Sequence, residues 1–325
     1  MEWLLRPESV PEKFVVMLLA ILLFVLVMGL VLAVVDRRGL PKWVPVTGYL
    51  GPALLLIFLG LFIPGMQTIW RSFYDADGNF LGVSNYVTIF TDGNFLVVLW
   101  NTFLWVLLVP LVSTALGLVY AVLVDRTRVE KFAKTLIFLP MAISMVGASI
   151  IWKFMYEYKP ASAKQTGLVN QFLVWLGFEP QQFLLSPPLN TFMLIVVMIW
   201  IQAGFAMTVL SAAIKAIPDD IIEAAKMDGV SGIRLFRYIT MPSVRPAIIV
   251  VLTTIAMGTL KAFDVVRTMT GGQFRTSVIA NEFYTQTFTQ QQAGIGAALA
   301  VLLFIIILPL VIYNLWQMRI TEGER

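Results

Sequence analysis

The sequence predicts an all-α polytopic membrane protein with about seven transmembrane helices, and three observations carry that prediction. Of 325 residues, 59% are hydrophobic. Only 13% are charged, about half the share usual in soluble domains. Those charges are clumped, leaving long uncharged runs at 14–35, 43–70, 93–124, 135–152, 180–214, 246–260 and 283–318. A helix rising about 1.5 Å per residue crosses a ~30 Å hydrocarbon core in about 20 residues. Most of the runs reach that length unaided; Lys153 extends the fourth, and residues 262–266 extend the sixth.

Seven helices follow, at about 14–35, 48–70, 96–124, 135–156, 190–214, 246–268 and 294–317. The first is read as a retained anchor. Its apolar stretch is longer than a signal-peptide core, and it runs into Val34-Val35-Asp36-Arg37-Arg38 without a small-x-small cleavage site. No internal repeat suggests the inverted halves of a secondary transporter. Short cytoplasmic loops collect Lys and Arg. The connectors 36–47, 125–134 and 215–245 and the tail 318–325 hold fourteen basic residues, against seven in the opposite, longer set. The N-terminus is therefore expected outside and the C-terminus in the cytoplasm.

What is missing narrows the chemistry. The chain has no Cys and no His, so it offers no thiolate, imidazole base or His-based zinc site. It lacks G-x-x-x-x-G-K-[ST], the phosphate-cradling loop of ATPases. No clustered carboxylates lie on one helix face, so a membrane-bound enzyme is disfavoured. The net charge of +4 is small and loop-borne, with no case for nucleic-acid binding. Lys261 and Asp264 stand three apart near the outer end of the sixth helix, where a shared face lets them neutralise each other. Lining a translocation path is the alternative. Asn101, Gln202 and Gln67 suit bonds between helices, or offer amides to a ligand's hydroxyls. The aromatic residues gather at run ends, as in any membrane protein, and say nothing about substrate. The uncharged polar segment 285–292 suits either a solvated loop or a docking surface.

The loop 215–245 is too long and too ordered for a linker. Pro218, Asp219, Asp220 and Glu223 open a helix whose positive end favours acidic residues. Ile221, Ile222 and Ala225 form its apolar stripe, and Gly229 suits the left-handed residue that closes it. Ser231 is placed to cap a second short helix carrying Ile233, Leu235, Phe236 and Ile239, with Arg234 and Arg237 on its polar side and Pro242 ending it. On these residues alone, a helix pair docking into a partner's groove and an amphipathic element floating at the headgroups both stay open.

The spacing of Glu223-Ala224-Ala225, three residues, Gly229, nine residues, Ile239-Thr240-Met241-Pro242 resembles the EAA loop of ATP-binding-cassette importer permeases. That pattern is E-A-A-x3-G-x9-I-x-L-P, and only its Leu is replaced, by Met241 of similar volume. Asn85-Tyr86, Asn101-Thr102, Phe138-Leu139-Pro140, Phe263-Asp264 and Thr270-Gly271-Gly272 resemble the larger permease subunit of carbohydrate importers of the maltose and alpha-glucoside type. The resemblance covers most of residues 48–317. It implies a six-helix permease core there, with 215–242 as the coupling loop, preceded by one extra N-terminal helix and linker (1–47) and followed by a cytoplasmic tail (318–325). One departure stands out: the maltose system's sizeable extracytoplasmic domain is here only the short segment 71–95.

The resemblance also implies roles. Glu223 would pair with a basic residue of an ATPase subunit, Ala224 and Ala225 would permit close approach, Gly229 would give the turn, and Ile239 and Pro242 complete the signature. Arg234 and Arg237 are further candidates for ATPase contact, although cytoplasmic loops collect Arg regardless. Asn101, Gln202, Lys261 and Asp264 are the candidates for the substrate path. The expected function is that of a non-enzymatic transport subunit in a bacterial inner membrane, with ATP and Mg on the partner and no cofactor of its own. The implied partners are a second permease, two copies of the ATPase, an extracytoplasmic sugar-binding protein and membrane lipid. The alternatives are a permease for another solute, such as glycerol phosphate or a polyamine, or an autonomous secondary transporter.

Overall fold

A computed structural model describes residues 9–36, 41, 43–125 and 127–323, with the side chains of the last six left aside. Arg37, Arg38, Lys42 and Arg126, four of the basic residues behind the orientation argument, lie outside the described residues, as do the side chains of the tail. Every regular element is helical except an isolated antiparallel bridge between Tyr74 and Phe80. Among the described residues six helices are long and apolar enough to cross a membrane, and a bent pair makes up to seven. The chain divides into two compact units, 1–67 and 68–325.

In the first unit, α1 (Val10–Val35) starts on a capping box: Ser9 Oγ accepts from Glu12 N–H, and Ser9 N–H donates to Glu12 Oε2. Only Val35 of α1 is buried. A helix that is apolar all round and otherwise exposed is suited to lipid. α2 (Trp43–Arg71) follows. Gly48 lets α2 meet Val35, since a Cβ at that position would fall 2.0 Å from Val35 Cγ2. A π turn at Phe58–Phe62 lies just before Pro64, with Ile63 N–H reaching back to Phe58. Proline lacks an N–H and crowds the preceding turn. The wider turn relieves both conflicts.

The second unit holds α3 (Ser84–Thr91), α4 (Gly93–Val124), α5 (Glu130–Phe138), α6 (Met145–Met155), α7 (Leu168–Trp175) and α8 (Leu189–Lys215). After these come α9 (Asp219–Met227), α10 (Gly232–Leu260), α11 (Asp264–Met269), α12 (Ile279–Tyr284) and α13 (Ala293–Gly323). α4 and α8 form the most extensive pairing and carry the core, with Trp105, Val109, Leu194, Met198 and Met207 almost fully buried. Gly117 sets their spacing, because a Cβ there would lie 2.4 Å from Ala206 Cβ. Small residues at such crossings are how membrane helices approach without a hydrophobic drive between them.

Two expected spans are corrected. The fourth, expected as one helix over 135–156, begins at Glu130 and is bent by 102° between Ala142 and Met145. Pro140 lies in a 3-10 turn at Leu139–Ala142, and Ser144 Oγ restarts the helix by accepting from Gly147 N–H. The sixth was expected at 246–268. It starts instead at Gly232 and stops at Leu260, and residues 264–269 form the separate α11.

Candidate functional site

The loop from residue 215, expected from the sequence to be a coupling element, folds as a helix, a glycine turn and a second helix. α9 is preceded by Pro218 and has Asp219 and Asp220 in its first turn. It closes in a Schellman motif: Gly229 N–H donates to Lys226 C=O (3.0 Å) and Val230 N–H to Ala225 C=O (2.9 Å). Gly229 has φ +78°, a conformation that glycine adopts without cost. The turn therefore fits the sequence expectation.

The second half differs from it. Ser231 has extended backbone at the start of α10, but its side chain makes no capping bond. Nor does Pro242 end a short helix. α10 runs unbroken through Pro242 and Pro246 to Leu260. A π turn at Phe236–Thr240 precedes Pro242, with Met241 N–H bonding Phe236 C=O. This is the same device that admits Pro64 in α2. The coupling helix and a membrane span are one element.

Glu223, Ala224, Gly229, Arg234, Arg237 and Pro242 are exposed, Ile239 is half-buried and Ala225 is buried. Leu235 and Phe236 are half-buried, but Ile233 leaves the buried side and is 83% exposed. Met227 is 88% exposed and Tyr238 65% exposed. Large apolar side chains displayed beside charges on a short helical element mark a surface built for a partner.

An ion network, not anticipated from the sequence, sits where α8 delivers the chain to this loop. Lys134 Nζ lies 2.5 Å from Asp125 Oδ1 and 2.9 Å from Glu130 Oε1. Ser211 Oγ donates to Asp125 Oδ1 (2.7 Å), and Lys215 pairs with Glu130. The network ties the ends of α4, α5 and α8 together. The only signal in the sequence was alternating charge at 125–134, which loop residues often show.

The substrate-path candidates do not gather at one place. Asn101 is buried, and its Nδ2 donates to the carbonyls of Arg275 (2.7 Å) and Ser277 (3.0 Å). Gln202 is half-buried on α8 beside Gly258 of α10, where a Cβ would come within 3.7 Å of its Nε2. Lys261 and Asp264 do not share a helix face, because α10 ends at Leu260 and Asp264 opens α11. Among the described residues no ion pair joins them. Lys261 is exposed and Asp264 half-buried.

The paired motifs noted in the sequence hold backbone. Asn85 Nδ2 donates to the carbonyls of Ser72 and Tyr74, and Tyr86 OH donates to Ser72 Oγ. Thr102 Oγ1 accepts from Ile279 N–H. In the Thr270-Gly271-Gly272 turn, Thr270 Oγ1 meets Thr276 Oγ1 at 2.6 Å.

Residues 113–320 match the family described as binding-protein-dependent transport system inner membrane component. The osmoprotective compounds uptake permease protein GgtC of Synechocystis sp. is 46% identical over 85% of this chain and all of that protein. The alpha-glucoside transport system permease protein AglF of Rhizobium meliloti is 46% identical over 82% of this chain and 80% of that one. The trehalose/maltose transport system permease protein MalF of Thermococcus litoralis is 28% identical over 81% of this chain. In fold, the chain is similar to a bacterial ABC transporter involved in import of the acidic polysaccharide alginate, with a TM-score of 0.71 over 83% of this chain and 93% of that one, at 24% identity.

The chain belongs to the binding-protein-dependent transport system inner membrane component family. It is accordingly a multi-pass inner-membrane permease subunit of an ATP-binding-cassette importer that works with a binding protein and an ATPase, and it is not itself catalytic. Nucleotide chemistry belongs to the partner.

Proposed function

We propose that this permease, paired with a second permease of similar fold and seated on two copies of the ATPase subunit, carries a neutral sugar or glucoside inward. An extracytoplasmic sugar-binding protein delivers the ligand. The N-terminus lies outside and the C-terminus in the cytoplasm. The observation that carries the reading is the solvent-facing α9–Gly229–α10 element, with Glu223 exposed and Met227, Ile233 and Tyr238 uncovered beside it. The names of the relatives support the solute class: alpha-glucosides, osmoprotective compounds, trehalose and maltose.

In this mechanism the coupling element seats in a cleft of the ATPase. Met227 and Ile233 supply apolar contact there, Glu223 meets a basic residue, and Arg234 and Arg237 face the same partner. Closure of the ATPase dimer on ATP displaces the element. α10 carries the displacement into the membrane and opens the permease pair outward, where sugar is received, and hydrolysis restores the inward-facing state. Gln202 is the path candidate at the α8–α10 contact; Asn101 holds the 275–277 loop, and Lys261 and Asp264 lie beyond the end of α10. The absence of charged side chains from α8 before Lys215 and from α10 after Arg245 favours a neutral ligand over glycerol phosphate or a polyamine.

The test is to purify the chain from its native membrane and identify what accompanies it by mass, then to assay ATP-dependent uptake of maltose and trehalose in proteoliposomes. Copurification of an ATPase and a second permease, with uptake that needs the binding protein, is expected. Uptake by this chain alone, driven by an ion gradient, overturns the proposal.

A further inference from the structure

At the end of the bundle opposite α9, a cavity of about 490 Å³ opens between the start of α4, the 272–277 turn and the segment leading into α13. Its polar lining is mostly amide: Asn94, Gln273, Gln286, Gln290 and Gln292. Two carboxylates line it: Asp92, whose Oδ1 accepts from Asn94 N–H (2.8 Å) at the start of α4, and Glu282, which is fixed within it. Gln286 Nε2 donates to Glu282 Oε1 (2.8 Å) and Ser277 Oγ to Oε2 (2.8 Å). Each carboxylate oxygen keeps a further lone pair. Gln286 is only 6% exposed and lines the cavity, with its amino group spent on Glu282. Arg275 adds a guanidinium, and Phe95, Val98 and Ile295 add an apolar floor.

The wall carrying Arg275 is held under strain. Phe274 (φ 54°) and Arg275 (φ 60°) both occupy the left-handed region that side chains avoid. Asn190 Nδ2 binds the carbonyl of Phe274 (2.8 Å), and Asn101 binds those of Arg275 and Ser277. Strained backbone persists where neighbours over-determine it, and such places cluster at ligand sites.

We propose that this cavity binds a neutral, polyhydroxylated solute of mono- to disaccharide size. A sugar hydroxyl both donates and accepts. Here Glu282 and the glutamine carbonyls accept, while Arg275 and the amide nitrogens donate. The volume falls within the range of small-molecule sites. With Asp92 engaged in capping α4, an anionic solute meets Glu282 and a cationic one meets Arg275, so neither is favoured. The site lies apart from Gln202 and makes the permease a receiver of sugar at its mouth. The choice of a sugar rests on the transport reading above.

The test uses the complete transporter in lipid nanodiscs without the binding protein, with maltose as the probe and glycerol 3-phosphate as the charged control, followed by saturation-transfer NMR. Maltose signals are expected from the unaltered protein. They should fall about fivefold or more in Gln286→Leu and in Gln290→Leu, each of which removes a hydrogen-bond partner; Gln290 is exposed, so its change leaves the fold alone. Equal signals in all three proteins, no signal in any, or a stronger signal from glycerol 3-phosphate overturns the proposal. Stimulation of ATPase activity by the binding protein is measured alongside. Its absence in the unaltered complex defeats the transport reading and leaves the NMR result standing. Its loss only in the variants shows that the cavity seats a protein loop, which also overturns the proposal.

Discussion

Lys134 Nζ lies 2.5 Å from Asp125 Oδ1, and the Asp125 side chain is 6% exposed. A carboxylate so enclosed depends on its cation, since removing one partner leaves an uncompensated charge. Lys134→Met is expected to lower stability by about 1–3 kcal/mol, allowing for the Ser211 bond that remains. The readout is the thermal midpoint of the detergent-solubilised complex. Lys134→Met with Asp125→Asn should cost less than the sum of the two single changes; strict additivity would show that the pair is not coupled.

Gly229→Pro is expected to abolish ATP-dependent uptake while leaving membrane insertion intact. Proline fixes φ near about −65°, whereas this position has φ +78°, and the substitution also deletes the N–H that bonds Lys226. Glu223→Arg should have the same effect without disturbing the turn. Uptake in proteoliposomes is the measurement, with membrane content checked by immunoblot, and normal transport by both variants would remove the coupling role.

Gly117→Leu should separate α4 from α8. Even a Cβ there lies 2.4 Å from Ala206 Cβ and 2.6 Å from the Met207 backbone nitrogen. Overpacking of this kind costs about 1–3 kcal/mol or more, and backbone cannot step aside as a side chain can. Gly51→Leu serves as the control, because nothing lies within 4 Å of its Cβ position. A thermal midpoint lowered by the control as much as by Gly117→Leu would show that packing is not the cause.

Asn101→Leu should loosen the turn at Arg275–Ser277 by leaving two carbonyls without their donor. Hydrogen exchange over residues 273–279 is expected to accelerate, while the α9 amides stay unchanged. Protection equal to that of the unaltered protein would mean the turn is held by something else.

Asp75 carries a pH dependence of definite sign. The side chain and backbone amide of Asn79, then the Asp77 and Gly78 amides, hold its carboxyl below the usual carboxylate value. A depressed folded-state pKa stabilises the Tyr74–Phe80 turn above the unfolded pKa of about 4, and the stabilisation fades as pH falls through the folded value. Exchange of the Asp77 and Asn79 amides should rise in acid, and Asp75→Asn should flatten that profile.

Much of the fold was legible because membrane spans are written in composition. Runs of uncharged residues located every long helix, and Gly229 announced its turn through the one backbone conformation glycine takes freely. What escaped was set by local backbone devices that hydropathy does not show and by contacts far apart in the chain. The bend at Ala142–Met145 depends on Pro140 and on Ser144 as a new cap, which a hydropathy run cannot show. Pro242 read as a terminator because a π turn, invisible in sequence, absorbs its missing donor. Asn101 read as a bond between helices or an amide for a ligand, and its actual partners, the backbone carbonyls of Arg275 and Ser277, stand 174 and 176 residues away. At the candidate coupling site the exposure of Glu223, Arg234 and Arg237 was foreseeable, but that of Met227, Ile233 and Tyr238 was not, and the Lys134 network joins three elements that only the folded chain brings together.

The π turn at Phe236–Thr240 has a mechanical corollary. From Gly232 to Leu260 the backbone is a single rod about 40 Å long. A shove against Ile233 at its foot enters a helix that is continuous as far as Leu260. The slack in the system therefore lies outside the rod, at the Gly229 turn below and the Lys261–Phe263 break above.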